Sequence, residues 1–284
     1  MRFGLTIFAT DISMDLTELA IEAESRGFDS LWIPEHTHIP ISRVTAPPTG
    51  DQELAEEYKR SLDPLVALAF AAAATSTLRL GTGVMLPMQR EPIVTAKAIA
   101  TLQNMSGGRF ELGIGFGWNR DEMADHGVDY ATRRAHSREH MLAMQALWEN
   151  EEGSFDGEFV KIPPSWSWPK PEKKVPVLIG GGAGPKMFAH IAEYGDGWIP
   201  IGGAGLADDI PRFRQAVEDA GRDPANMRVI PFGTLPSPGK LEHFESIGVD
   251  ECVFRIPSAT RDVVMRTLEE QTELLESLKE SNHS

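Results

Sequence analysis

Apolar positions in this chain gather into short continuous runs instead of alternating with polar ones. RFGLTIF, SLWIP, LRLGTGVML, RFELGIG, VLI, GWIPI, RVIPF and ECVFR are apolar almost throughout, the pattern of parallel strands covered on both faces. They predict strands at residues 2–8, 30–34, 78–86, 109–115, 177–179, 197–201, 228–232 and 251–255. A helical pattern follows each. Several helices have readable starts: Asp63-Pro64, Glu91-Pro92 and Pro185 each place proline in a first turn, where its missing N–H costs nothing. Their stops recur too, as Arg26-Gly27-Phe28-Asp29, Tyr194-Gly195-Asp196-Gly197 and Ile247-Gly248-Val249-Asp250, with glycine closing the helix and an acid in the turn to the next strand. About eight such βα units predict one α/β domain over residues 1–284, a closed (β/α)8 TIM barrel. An open doubly wound sheet is the alternative, less suited to units so evenly repeated.

Two segments exceed the repeat. Residues 37–62, after the second strand, hold Pro47-Pro48, Thr49-Gly50 and the charged run DQELAEEYKR, and predict a long loop ending in a short helix. Residues 153–174, in the unit of the fourth strand, hold a hairpin-like Asp156-Gly157 turn and the stretch PPSWSWPKPEKK, either a wall of the substrate pocket or a surface ornament or oligomer contact.

Composition narrows the partners. The 284 residues are 41% hydrophobic and carry 42 acidic against 27 basic side chains, a formal net charge of -15. That balance argues against nucleic acid or an anionic membrane as the main partner. The one cysteine, Cys252, sits in an apolar run and reads as a core residue; with no disulfide framework, a reducing cytoplasm is expected. The N-terminal apolar run is short and soon meets Asp11, so it reads as the first strand and not as a secretion signal, and no membrane segment is expected.

Barrel enzymes draw their catalytic groups from the C-terminal ends of the strands, and here those ends are poor in ionisable side chains. No lysine lies inside a strand for Schiff-base chemistry, and carboxylates occur only near Glu35 and Glu122. The pair His36-x-His38 suggests a metal, but later strand ends supply no further ligands, so no metal site is expected. No G-x-S-x-G elbow occurs, and Ser106-Gly107-Gly108 reads as a helix stop. What remains is a glycine mouth at Gly113, Gly115 and Gly117, a second at Gly180, Gly181, Gly182, Ala183 and Gly184, and the acid–histidine pair Glu35-His36. Bare backbone accommodates a flat ring, a glycine loop before a helix accommodates a phosphate, and one proton donor or acceptor is enough when a cofactor carries the chemistry. Against this stands the reading in which Glu35 anchors a loop and His36 bonds a neighbour.

FDSLWIPEH, LRLGTGVMLP, EPIVTAKAIATLQNMSGGRFELGIGFGWNRDE, VPVLIGGGAGPK and GDGWIP, in this order, resemble the bacterial luciferase-like superfamily, in particular its barrel oxidoreductases that use the deazaflavin coenzyme F420. The resemblance covers nearly the whole chain. It implies a cytoplasmic oxidoreductase, expected as a homodimer, that moves hydride between F420 and a small organic substrate. It gives Glu35 and His36 the polar positions beside the ring, with His36 as proton partner. Gly83-Val84 falls at a third-strand bulge, often a non-prolyl cis peptide; Gly115, Trp118 and Asn119 line the ring; Gly180, Gly181, Gly182, Ala183 and Gly184 receive the phosphate, with Gly202 and Gly203 beside them. Trp118 also reads as a lid on the core, and Asn119 as a helix cap. F420 carries an anionic oligoglutamate tail, whose charge Arg90, Arg120 and Lys186 could offset. Trp166, Trp168, Met85, Met88 and Phe116 hint at an apolar substrate. An FMN-dependent monooxygenase uses the same architecture, and a non-catalytic flavin-binding barrel is the third reading.

Overall fold

A computed structural model describes residues 1–47 and 53–281. Its elements are β1 (Arg2–Thr6), α1 (Leu16–Ser25), β2 (Ser30–Ile33), α2 (Pro64–Ala74), β3 (Arg79–Thr82), α3 (Pro92–Met105), β4 (Phe110–Ile114), α4 (Arg120–Asp125), α5 (Arg133–Glu149), β5 (Gly153–Asp156), β6 (Lys161–Ser165), β7 (Val177–Gly180), α6 (Pro185–Tyr194), β8 (Gly197–Ile199), α7 (Leu206–Asp219), β9 (Arg228–Val229), β10 (Phe232–Thr234), α8 (Pro238–Ser246), β11 (Glu251–Arg255) and α9 (Arg261–Ser281). Proline starts the helices as expected: Asp63 caps α2 by accepting from Leu65 and Val66 N–H, and Glu91 caps α3 through Val94 N–H.

Nine strands form one parallel sheet in the order β10-β11-β1-β2-β3-β4-β7-β8-β9. Both ends of that order belong to one run of chain, residues 228–234. Ile230 N–H donates to Trp198 O on one side, while Val253 N–H donates to Pro231 O on the other, so the sheet curls until its edges meet on the same segment. The expected seventh strand is therefore two pieces, β9 and β10, separated at Ile230-Pro231. The third strand is also shorter than the expected 78–86: its regular pairing ends at Thr82, the Gly83-Val84 peptide is cis as the resemblance implies, and Met85 then rejoins β4 through a bridge to Ile114.

Alternation along each strand builds two cores. On β2, Leu31 and Ile33 face the helices while Trp32 points inward; Leu178, Ile199, Phe232 and Val253 do the same on β7, β8, β10 and β11. Val84 packs against this inner group. Cys252 faces the helix layer, fully buried, and burial pushes its thiol up to about 12.

Below the inner core, at the strands' N-terminal ends, lies a polar plug. Arg79 of β3 reaches Glu111 of β4 at 3.0 Å and Glu251 of β11 at 2.7 Å, and Arg228 of β9 reaches Glu111 at 2.9 Å. Ser30 Oγ donates to Glu251 and accepts from Trp32 Nε1 at 2.7 Å. Burial opposes ionisation of Glu111, but Arg228 and Arg79 prevail and hold its carboxyl below the usual range.

The first long segment stays at the C-terminal end of the sheet, while the second runs along the outside, its hairpin turn near the start of α5 and its Trp-rich stretch at the far end. Residues 34–47 and 53–62 lie at the C-terminal end of the sheet and include a 3-10 turn at Glu56–Lys59; Pro48, Thr49, Gly50, Asp51 and Gln52 lie outside the described residues. The second segment forms the hairpin β5-β6, whose turn spans residues 157–160, with Asp156 paired to Lys161. Glu139 of α5 accepts the N–H groups of Glu158, Phe159 and Val160 at 2.7–3.0 Å. The Trp-rich stretch then attaches to the C-terminal end of α3, where Asn104 donates to Lys170 O at 2.8 Å and Gln103 to Lys174 O at 2.9 Å. Trp166 and Trp168 are exposed there, so they do not wall the mouth. The physical reason is topological: the segment follows α5, which runs back from the strand ends, and so emerges at the far side of the sheet. Among the described residues no helix is long and apolar enough to cross a membrane.

Candidate active site

The chain leaves β2 through Pro34, Glu35 and His36, and these neighbours part company. Glu35 is 3% exposed; its Oε2 accepts from Leu86 N–H at 2.8 Å and its Oε1 from Arg90 Nε at 2.6 Å. Burial pushes this carboxyl up, against the Arg90 charge that holds it down. Arg90 also binds Asp63, the cap of α2, at 2.6 Å. Glu35 thus ties the second strand end to the third, while the carboxylate beside His36 is Glu122 of α4.

His36 Nδ1 lies 2.8 Å from Glu122 Oε2, and both side chains are buried. The other Glu122 oxygen accepts Thr37 N–H at 3.1 Å. With Nδ1–H donated to a carboxylate, the His36 tautomer carries its lone pair on Nε2, which has no protein hydrogen-bond partner among the described residues. The imidazole forms a three-ring cluster with two half-buried aromatic side chains, Tyr58 at 5.2 Å and Trp118 at 5.7 Å, which also meet each other at 6.0 Å. His38 turns away to Asp125 at 3.0 Å, and Thr37 Oγ1 meets His126 Nε2 at 2.7 Å. Asp121 receives Thr45 Oγ1 at 2.9 Å and the N–H groups of Val44 and Thr45 at 3.3 Å. Three carboxylates of one short helix therefore seat the segment that carries His36.

Beside His36 the inner wall is cut back to backbone. A Cβ added to Gly115 would stand 2.5 Å from a Val84 methyl, and one on Gly180 would stand 2.9 Å from the other. One on Gly83 would stand 2.5 Å from the Phe232 ring. Val84, Gly115 and Gly180 thus share one apolar floor because two of them lack a side chain. At its edge Asn119 is 1% exposed, and neither amide atom has a hydrogen-bond partner. It occupies the cap position of α4 without making the cap bond.

Gly181 O accepts Trp198 Nε1–H at 2.8 Å, which fixes the base of the loop before α6. Above it, added Cβ atoms at Gly182 and Gly184 would meet nothing within 4 Å, and Ala183 is exposed. The α6 N–H end is open. Gly202 donates its N–H to Phe232 O and an added Cβ on it would meet nothing within 4 Å, whereas Gly203 is pressed against the Phe244 ring, 2.2 Å from an added Cβ. Met85, Met88 and Phe116 are buried packing residues, so they do not offer a substrate surface, whereas Tyr58 and Trp118 are half-buried. Tyr58, Arg43, which lies 5.9 Å over the Trp118 ring, and the pairing role of Glu122 went unread in the sequence. Acids in a first helical turn look like ordinary dipole partners.

A curled parallel βα sheet whose strand ends carry glycines and a buried histidine on a carboxylate defines the class as a barrel-type α/β fold. The pattern of the luciferase-like monooxygenase family matches residues 10–236, and the chain belongs to that family. An uncharacterized protein of Mycobacterium tuberculosis is 44% identical over 266 residues, 92% of this chain and 94% of that one. The F420-dependent glucose-6-phosphate dehydrogenase of Kineococcus radiotolerans is 33% identical over 215 residues, 73% of this chain and 59% of its own. Among solved structures, an F420-dependent secondary alcohol dehydrogenase in complex with an F420-acetone adduct and a monooxygenase from Streptomyces bottropensis each have a TM-score of 0.79 at 20% identity, over 98% of this chain and 99% of theirs. These two likenesses establish the fold.

Proposed function

We propose that this chain is an oxidoreductase that binds coenzyme F420 and transfers hydride between it and a small organic substrate. The observation that carries the reading is the His36–Glu122 pair, 2.8 Å apart, beside a floor of Val84, Gly115 and Gly180. The residues present fit such a group: Gly115 and Gly180 make room for Val84 to form an apolar floor, the buried Asn119 amide has bonds to give, and the Gly182–Gly184 backbone is open before a helix that favours an anion. When bound, F420 supplies a ring carbon that exchanges hydride with the substrate. Val84 would support the ring, Asn119 would hydrogen-bond its polar edge, and Gly181, Gly182, Ala183 and Gly184 would hold its phosphate. As hydride leaves an alcohol carbon, His36 Nε2 takes the hydroxyl proton, or returns one in the reductive direction; Glu122 holds the imidazole in that tautomer and stabilises its charge. Glu35 positions the His36 segment by tying it to Leu86 and Arg90. Tyr58 and Trp118 offer the substrate an aromatic, apolar wall.

The choice of F420 is supported by the named dehydrogenase relatives. FMN-dependent oxygenation is the second reading, since a Baeyer-Villiger monooxygenase solved in complex with FMN shares the fold. Titration of apo-protein with each cofactor separates them: tight FMN binding with negligible F420 binding overturns the first. Turnover of reduced cofactor with any carbonyl, imine or electron-poor alkene excludes a purely storage role.

The expected second copy of the chain has a surface to meet. The sequence of α2, PLVALAFAAAA, has no charged residue, and Val66 and Phe70 are exposed beside Val94 and Met105 of α3. A helix apolar on every side needs cover, and this uncharged face lets two strongly acidic chains approach with least repulsion. Sedimentation of a monomer at micromolar concentration would overturn the homodimer.

A further inference from the structure

Arginines are outnumbered in this acidic chain and most find carboxylates, as Arg79, Arg90, Arg138 and Arg228 do. Three on one rim do not. Arg120 opens α4, and Arg133 and Arg134 open α5. The Arg133 guanidinium lies 3.6 Å over the Tyr130 ring, Arg120 lies 4.5 Å over the same ring, and Arg134 lies 4.2 Å over Phe116, the neighbour of Gly115. No acidic oxygen lies within 4.0 Å of any of the three among the described residues, and the buried Arg133 Nε and Arg134 Nη1 have no hydrogen-bond partner. Their placement is also unfavourable on local grounds. The first turn of α5 has no acid, and cations there oppose the helix dipole. The positive rim extends toward α6: burial and then Arg134 push the His190 imidazole down. It therefore borders the helix whose open end carries Gly182 and Gly184.

We propose that Arg120, Arg133 and Arg134 form a shelf for the oligocarboxylate tail of the cofactor, an assignment that rests on the F420 reading. A guanidinium stacked on an aromatic face keeps in-plane N–H groups for a carboxylate; on Arg133 one of them, Nη1, is already donated to Tyr130 O at 2.7 Å, which leaves the others. A protein with net charge -15 repels a polyanionic tail everywhere else, so a local cationic shelf is what such a tail requires. FMN ends at its phosphate and gains nothing there.

The test compares F420 that carries several glutamates with F420 that carries none, by quenching of the cofactor's own fluorescence. In the native protein the tail strengthens binding about ten- to a hundredfold at low ionic strength, the joint effect of three exposed ion pairs, and the advantage collapses near 0.5 M salt as screening sets in. Arg120→Glu and Arg133→Gln remove the tail's advantage while affinity for the tail-less cofactor stays within about twofold; Arg134, which also packs on Phe116, is left intact. Equal affinity for the tailed and tail-less forms overturns the shelf and leaves the F420 reading standing. Binding of neither form overturns both.

Discussion

The two ends of the inner barrel treat buried polarity in opposite ways. At the N-terminal end Glu111 meets Arg79 and Arg228, Glu251 meets Arg79 and Ser30, and Ser30 receives Trp32. At the C-terminal end, across the same apolar layer, Glu35 and Glu122 are paired, but the Asn119 amide has no partner and His36 has one engaged nitrogen. A fully paired network rigidifies the barrel, whereas unpaired groups held in an equally dry setting are costly unless something else completes them. The contrast separates the part of the molecule that keeps its shape from the part that awaits a ligand.

Substitutions at each end should therefore be read by different measurements. The largest effect is expected from His36→Ala, which lowers turnover about 10²–10⁴-fold with cofactor affinity nearly intact; full turnover with an unchanged pH profile would make the histidine structural. Glu122→Gln should alter that pH profile through His36 even where cofactor binding is unaffected. At the other end Glu111→Gln strips the Arg228 guanidinium of its carboxylate and leaves Arg79 with Glu251 alone, and should cost about 3 kcal/mol in urea unfolding, with no change in cofactor affinity. The sign of its pH dependence follows from a depressed carboxyl: the native protein holds this stabilisation above the ordinary glutamate range and loses it as pH falls through the folded value. The variant's acid limb should be flatter, and an identical limb would refute the assignment.

Gly182→Asp brings a carboxylate to the expected phosphate position and should weaken cofactor binding by about 1–4 kcal/mol. Folding should be untouched, since an added Cβ there meets nothing; an unchanged dissociation constant places the phosphate elsewhere. Smallest of all, Asn119→Leu should leave the apo-protein as stable as before or about 1 kcal/mol more stable, yet reduce cofactor affinity. A clear loss of apo stability would mean that the amide is satisfied within the protein.

The strands, the helix starts and the two glycine mouths were legible because covered parallel strands and Pro-started helices leave strong local patterns. The seventh strand's division at Pro231 was not, since it depends on what lies across the ladder, and the third strand's early end was foreshadowed only by the resemblance, through Gly83-Val84. The plug left a fainter mark: Arg79, Glu111, Arg228 and Glu251 each stand at or beside the start of an otherwise apolar strand. Which of them meet is fixed only when the sheet curls. In the mouth, adjacency in sequence joined Glu35 to His36, but successive residues of an extended chain point apart, so the histidine's carboxylate came from a helix 86 residues away. The Trp-rich stretch misled for a similar reason, its position in sequence not revealing which end of the barrel it returns to.

The seat that Asp121, Glu122 and Asp125 make for Thr45, His36 and His38 has a kinetic meaning as well. Each half of that contact is short, and neither a six-residue helix nor a loop persists alone in water. Residues 36–45 and 120–125 should accordingly open and close as one cooperative unit, less stable than the strands beneath, with amide protons that exchange at a common rate. The histidine, its orienting carboxylate and Trp118 nearby would then assemble or disperse together, so that local melting of this unit switches the mouth off while the barrel below stays folded.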